Sequence, residues 1–192
     1  MMVGKNNHSH AVAKRIKPNT IGAEIGVWKG DTSIQFLKAY PKELHLVDAW
    51  NLDAWFDDLP IQEQNLILEK YSTSLRIDPS RESLQYYYDN VYQSVKNRFA
   101  LVSNVIIHRQ DSKEWFKTID KKFDWIYVDG DHSYKGCLND LNECLTILQP
   151  NGIIFGDDYG NKKGVTQAVN EFVSTHKLKF ENFEKNQFQI NT

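Results

Sequence analysis

A disulfide framework, a membrane span and a charge of one sign are all missing from this chain of 192 residues. It has two cysteines, Cys137 and Cys144, within one helical pattern, which suits two turns of a buried face and argues against a bridge or a metal knuckle. A net charge of -2 gives no overall basic character for nucleic acid or an anionic membrane. No apolar run approaches the roughly 18 residues of a membrane span. The opening segment, MMVGKNNHSHAVAKRIK, lacks the apolar centre of a signal peptide. Internal repeats and low-complexity segments are absent too. A cytoplasmic protein that binds neither nucleic acid nor membrane is expected.

What is present, 41% hydrophobic and 25% charged, fits one domain over residues 1–192 with a sizeable core. A strand over 21–26 passes through a glycine-bounded turn into a helix over 31–40, which Asp31 or Thr32 can cap and Pro41 stops. A strand over 44–47 ends on Asp48 and completes a βαβ unit, the start of a parallel sheet. Strands over 105–108 and 125–128 follow. Tyr134, Leu138, Leu141, Leu145 and Leu148 then keep the spacing of one helical face, and QPNG at 149–152 ends that helix before a fifth strand. Val165, Ala168, Val169, Phe172 and Val173 mark another amphipathic helix, opened by Gly164 and closed by Lys177. Phe180, Phe183, Phe188 and Ile190 flank a polar turn at Glu184, Lys185 and Asn186, a terminal antiparallel hairpin. The fold class expected is α/β: a Rossmann-like, seven-stranded, mostly parallel sheet with helices on both faces.

Residues 1–20 read as an N-terminal arm and residues 50–99 as a helical insertion between the second and third strands. Connections usually take about 2 to 6 residues, so a stretch this long must carry structure of its own. Leu84, Tyr88, Val91, Val95 and Phe99 form a helical stripe, and a weaker helix covers 61–75, with Asp78, Pro79 and Ser80 as the break. Trp50, Trp55, Phe56 and the run Tyr86, Tyr87, Tyr88 either wall a substrate pocket or pack the insertion against the domain.

Two segments, FDWIYVDGDH at 123–132 and GIIFGDDY at 152–159, each run from an apolar strand into carboxylates. A helical pattern separates them, so the strands are expected as parallel neighbours whose ends share one edge. Asp129, Asp131, Asp157 and Asp158 then converge where open α/β sheets bind ligands. Two carboxylates about 4 Å apart repel by roughly 4 kcal/mol at an effective dielectric of 20, so such a cluster needs a cation or shared protons. All-oxygen ligation favours magnesium, calcium or manganese, with His132 the one nitrogen candidate nearby. The alternative is a set of turn and capping residues.

The turn after the first strand, AEIGVWKGDTS, is not a dinucleotide fingerprint: only G-x-x-x-G remains, and tryptophan stands where a second glycine would admit a pyrophosphate. Glu24, two residues before the turn, would repel a phosphate and favour a ligand bearing an amino group and a sulfonium. Asp48, closing the second strand, is placed to accept hydrogen bonds from a ribose diol.

From these residues the chain resembles the class I S-adenosylmethionine-dependent methyltransferases: AEIGVWKGDTS looks like their first motif and LVDAW their second. The resemblance implies that Glu24, Gly26 and Gly30 line the methionine end of the cofactor, Asp48 holds the ribose, and Asp111 with Ser112 lies near the adenine. Within that class, DGDHSYKG followed by GDDY is similar to the metal-dependent small-molecule O-methyltransferases that modify sugars, with catechol-type enzymes more distant. This implies Asp129, Asp157 and Asp158 as ligands of a divalent cation, Mg2+ by expectation, and Asp131 as general base. His132 is the second choice of proton acceptor. The methyl acceptor is then a small-molecule hydroxyl, on a sugar or a phenol. Sugar-modifying relatives carry a longer N-terminal helical segment than residues 1–20 here, which leaves the assembly open, a homodimer among the options.

Other readings compete. A magnesium-dependent phosphohydrolase would want its acidic nucleophile after the first strand, where Gly26, Val27 and Trp28 stand, and a nucleotide-binding oxidoreductase would want the missing glycine. A non-catalytic cofactor-binding module has no need of the aspartate cluster. No Asn-Pro-Pro-Tyr or Asp-Pro-Pro-Tyr follows the fourth strand, which removes the resemblance to methyltransferases of exocyclic base nitrogens.

Overall fold

The computed structural model describes residues 9–56, 59–184 and 186–192; Lys185 of the expected hairpin turn and the side chain of Trp55 lie outside what is described. In chain order the elements are α1 (Ser9–Ala13), β1 (Ile21–Ile25), α2 (Asp31–Leu37), β2 (Glu43–Asp48), α3 (Asp53–Phe56), α4 (Ile61–Leu75) and α5 (Arg81–Phe99). They continue with β3 (Val105–Arg109), α6 (Ser112–Thr118), β4 (Phe123–Val128), α7 (Tyr134–Ile147), β5 (Leu148–Gly156), α8 (Lys163–His176), β6 (Lys179–Phe183) and β7 (Gln187–Asn191).

The strands form a seven-stranded sheet in the order β3-β2-β1-β4-β5-β7-β6. Strands β1 to β5 pair in parallel, and β7 runs antiparallel between β5 and β6. Chain direction across the sheet reverses between β1 and β4, which makes the carboxyl edge there a topological switch point, where a crevice opens. The register sets Ile25 beside Val128, and the amide of Asp129 donates to the carbonyl of Ile25 at 2.8 Å, so the loops after the two central strands start from one point.

Each face of the sheet buries its own core. Trp115 and Phe116 of α6, Cys137, Leu141 and Cys144 of α7, and Val165, Val169 and Phe172 of α8 cover one face. Both cysteines are free and buried, as their helical spacing predicts. Val12 of α1, Phe36 of α2 and the full stripe Leu84, Tyr88, Val91, Val95 and Phe99 of α5 cover the other. Each such large apolar side chain contributes roughly 1.5–3 kcal/mol when buried.

Several boundaries differ from the sequence reading. Helix α2 stops at Leu37, and Tyr40 turns with a φ of 54° before Pro41. Neither Asp31 nor Thr32 caps it: Gly30 does, in the left-handed region, and Asp31 instead accepts from Arg98 at 2.7 Å. Leu148 belongs to β5, opposite Phe123, and the expected turn at 149–152 lies inside that strand as a register shift. A bulge accommodates Pro150, which has no N–H to give the ladder. The insertion has its two expected helices, with Ser80 capping α5 by accepting from the amide of Ser83 at 3.1 Å, and adds the short α3.

Candidate functional site

The ledge after β1 is built by close approach. Gly26 has a φ of 87°, and a Cβ there would lie 2.1 Å from the carbonyl oxygen of Asp129. Trp28 follows with a φ of 47°, its ring half-exposed and Lys29 Nζ 4.3 Å above it. Asp48 fixes this turn: its Oδ2 accepts from the amides of Val27 at 3.0 Å and Trp28 at 2.8 Å, and its Oδ1 from the amide of Trp50 at 2.8 Å. The buried Trp50 indole returns a bond to the carbonyl of Trp28 at 2.8 Å. Burial pushes the Asp48 carboxyl up, and these three amides pull it back. A carboxylate offers about four lone-pair sites, so Asp48 keeps about one for a ligand.

Glu24 lies beneath the ledge and not on its surface. It is 1% exposed and accepts from Ser33 Oγ at 2.5 Å. Burial, with the fields of Asp129, Asp48 and Asp31 adding to it against the Ser33 bond, raises its pKa well above the ordinary carboxyl range. Gly30 likewise serves the helix start: a Cβ there would meet the Phe99 ring at 2.9 Å.

A cavity of about 470 Å³ opens above the ledge. Gly26 to Lys29, Asp48, Asp111 to Lys113, and Asp129 to His132 wall it, while Tyr71 and Leu75 of α4 and Tyr87 and Tyr88 of α5 roof it. The insertion aromatics thus close over the residues expected to hold a cofactor. Six aspartates, Asp31, Asp48, Asp111, Asp129, Asp131 and Asp140, line the cavity against two lysines, Lys29 and Lys113. Such a wall favours an amino group or a sulfonium and disfavours phosphate. Of the residues expected near an adenine, Asp111 caps α6 by accepting from the amide of Glu114 at 2.8 Å, and Ser112 Oγ donates to Asp140 Oδ1 at 2.6 Å. Asp140 was not foreseen. It looks like one polar position among several on an amphipathic helix, and its 3% exposure is visible only in the fold.

At the ends of β4 and β5, Asp129, His132 and Asp158 each offer a ligand atom, all within 4.8 Å of one another. His132 Nε2 stands 3.2 Å from Asp129 Oδ1 and 3.4 Å from Asp158 Oδ2. Its pKa is raised, first by the bond to Asp129 and then by the fields of Asp129 and Asp158, against burial. Burial outweighs that bond at Asp129, whose carboxyl is also pushed up. Asp158 has a φ of 65°, a conformation costly for a residue with a Cβ and frequent at functional sites.

The other two expected aspartates are differently engaged. Asp157 accepts from the amide of Asp158 at 2.7 Å and from the Tyr127 hydroxyl at 3.3 Å, and it stands outside the three-residue cluster. Asp131 accepts from the Ser133 amide at 2.8 Å and the Ser133 hydroxyl at 2.9 Å at the start of α7. Position 136 is glycine because a Cβ there would lie 1.9 Å from Asp131 Oδ2.

The strand order, the glycine turn at the switch point and the acidic ends of β2, β4 and β5 define the class I S-adenosylmethionine-dependent methyltransferase fold. A family model described as a methyltransferase domain matches residues 23–159, and the chain belongs to that family. Solved structures agree in fold. The O-methyltransferase NovP superposes with a TM-score of 0.62 at 17% identity over 95% of this chain and 75% of its own. TomG from Streptomyces achromogenes, an O-methyltransferase in complex with SAM, gives 0.59 at 14% over 95% and 76%. An O-methyltransferase from Bacillus cereus in complex with SAH gives 0.60 at 12% over 95% and 77%. No curated protein matches the chain by sequence. Among the described residues no helix is long and apolar enough to cross a membrane.

Proposed function

We propose that the protein transfers a methyl group from S-adenosylmethionine to a hydroxyl of a small molecule, a sugar or a phenol. The observation that carries this reading is the double membership of Asp129, which lies on the cavity wall and also in the Asp129–His132–Asp158 cluster. A cofactor in the cavity would therefore end where acceptor chemistry is gathered. The donor set fits the cofactor, since six aspartates on the wall suit its ammonium and sulfonium and would repel the phosphates of a dinucleotide.

Asp129, His132 and Asp158 also fit a divalent cation: two carboxylates and an imidazole converge, and a set containing nitrogen accepts manganese as well as magnesium. When bound, such an ion would lower the pKa of the acceptor hydroxyl and orient it. The chain's own groups do the rest. The Gly26–Trp28 ledge, held by Asp48, fixes the cofactor's position, and the tyrosine roof excludes water from the sulfonium. The acceptor oxygen attacks the methyl carbon, the S–CH3 bond breaks with its electrons going to sulfur, and the hydroxyl proton passes to Asp131. Where no cation is held, His132, between two carboxylates, is the alternative acceptor of that proton.

The test is calorimetric titration with S-adenosylhomocysteine, with and without magnesium, followed by methyl transfer assays on sugar and phenol panels. Saturable binding near one site per chain with turnover on either panel is expected. Absence of binding under both conditions overturns the reading.

A further inference from the structure

Gln187, which opens β7, is fully buried, and among the described residues neither its Nε2 nor its Oε1 has a hydrogen-bond partner. Burying a primary amide unpaired costs stability, and a methionine of similar size would fill the position without that cost. Its place in the sheet gives the amide a use. The antiparallel register sets Gly156 opposite Phe188, so one step on, where β5 ends, Gln187 comes level with Asp157. Phe188 and Ile190 belong to the core of one face, Tyr127 and Phe155 to that of the other, and alternation along β7 turns Gln187 to the Tyr127 side. The amide comes close enough to the Tyr127 hydroxyl to act on it, though outside hydrogen-bond geometry. That hydroxyl donates to Asp157 Oδ2 at 3.3 Å, and Asp157 Oδ1 accepts from the amide of Asp158 at 2.7 Å.

We propose that Gln187 is a positioning residue for the acceptor site, acting through Tyr127 and Asp157 on the backbone of Asp158. This rests on the proposed cation at Asp129, His132 and Asp158. Donors and acceptors run in one direction along the chain: Gln187 Nε2 offers a hydrogen to the Tyr127 oxygen, Tyr127 gives its own to Asp157, and Asp157 receives the Asp158 amide. In this structure the chain is slack, because the Tyr127 to Asp157 distance exceeds that of an ordinary O–H···O bond and the Gln187 amide is unpaired. Once the Asp158 carboxylate is held at a cation, that left-handed residue, with a φ of 65°, is fixed, and closing the chain pairs the amide. The pairing adds to cation affinity. Without it the amide only burdens the fold.

The experiment is calorimetric titration with manganese, beside thermal melting, on the wild type, Gln187→Met, Tyr127→Phe and the double variant. Gln187→Met keeps the side-chain length and removes the unpaired amide. It is expected to melt no lower than the wild type while binding manganese about 2–10-fold more weakly, the worth of one hydrogen bond. In Tyr127→Phe, which breaks the chain, adding Gln187→Met should cost no further affinity. Unchanged manganese affinity in Gln187→Met overturns the proposal. So does a loss of equal size with and without the Tyr127 hydroxyl, or a fall in melting temperature, since either marks an amide that serves packing. Failure of the wild type to take up manganese is a different outcome, read without any variant, and it overturns the cation reading on which the proposal stands.

Discussion

Gly26 and Asp129 approach so closely that a Cβ added to the glycine would stand 2.1 Å from the aspartate's carbonyl oxygen. This contact seals the switch point of the sheet, because the ledge after β1 and the acidic loop after β4 share one wall. Gly26→Ala meets that oxygen at a φ of 87°, where a Cβ costs about 1–2 kcal/mol before any clash. A total loss of about 2–5 kcal/mol is expected, read as a lower urea midpoint, together with loss of S-adenosylhomocysteine binding. A variant of wild-type stability and affinity would contradict the geometry.

Asp48→Ala leaves three backbone amides without their acceptor and frees the ledge. Hydrogen bonds to a charged group are worth about 1.5–3 kcal/mol each at most, and water replaces part of that. The expectation is a fall of several degrees in thermal midpoint and a loss of at least about tenfold in affinity for S-adenosylhomocysteine, checked by melting and calorimetry on one preparation.

Acid sensitivity should trace to a histidine pair. His45 Nδ1 and His108 Nε2 lie 2.9 Å apart with rings stacked, so one ring nitrogen donates to the other. Burial, then the field of His45, lowers His108 to about 4. Above about pH 6.5 both folded and unfolded chains hold it neutral, and its contribution is intact. As pH falls from there toward 4 the unfolded chain takes up a proton that the folded one refuses, so stability drops. Allowing for partial exposure, about 1–3 kcal/mol is lost. His108→Gln should flatten the stability profile over that window in urea titrations at a series of pH values; an unaltered slope refutes it.

The two aspartates after β5 should separate in cation binding. Under the proposed chemistry Asp158→Ala removes a ligand and abolishes manganese uptake in calorimetry. Asp157→Ala removes the acceptor of the Asp158 amide and of the Tyr127 hydroxyl, and weakens uptake by about 10–100-fold, as loss of an outer partner does. The reverse order would move Asp157 into the ligand set.

Much of the architecture was legible because it rests on periodicity. The α5 stripe from Leu84 to Phe99 is buried as its spacing predicts, and the strand ends at Asp48 and Asp129 fall on the carboxyl edge. Boundaries were less legible. Leu148 continues the apolar face of α7 in sequence, yet it pairs with Phe123 in β5, where it is buried, and the register shift that follows takes up Pro150. Asp31 looked like a cap, but the left-handed Gly30 turns its side chain out to Arg98.

The sequence by itself determined the class of fold and the edge of the sheet at which chemistry gathers, since strand and helix periods, glycine turns and acidic strand ends are local properties. Only the tertiary structure decided how the carboxylates divide. Asp129 and Asp158 face His132, Asp157 turns to its neighbour's amide and to Tyr127, Glu24 sinks beneath the ledge, and Asp140 surfaces in the cavity wall. Side-chain direction in these loops depends on single backbone angles, such as the φ of 65° at Asp158, and on which amides and hydroxyls other loops bring near. Neither is written in the spacing of residues along one strand.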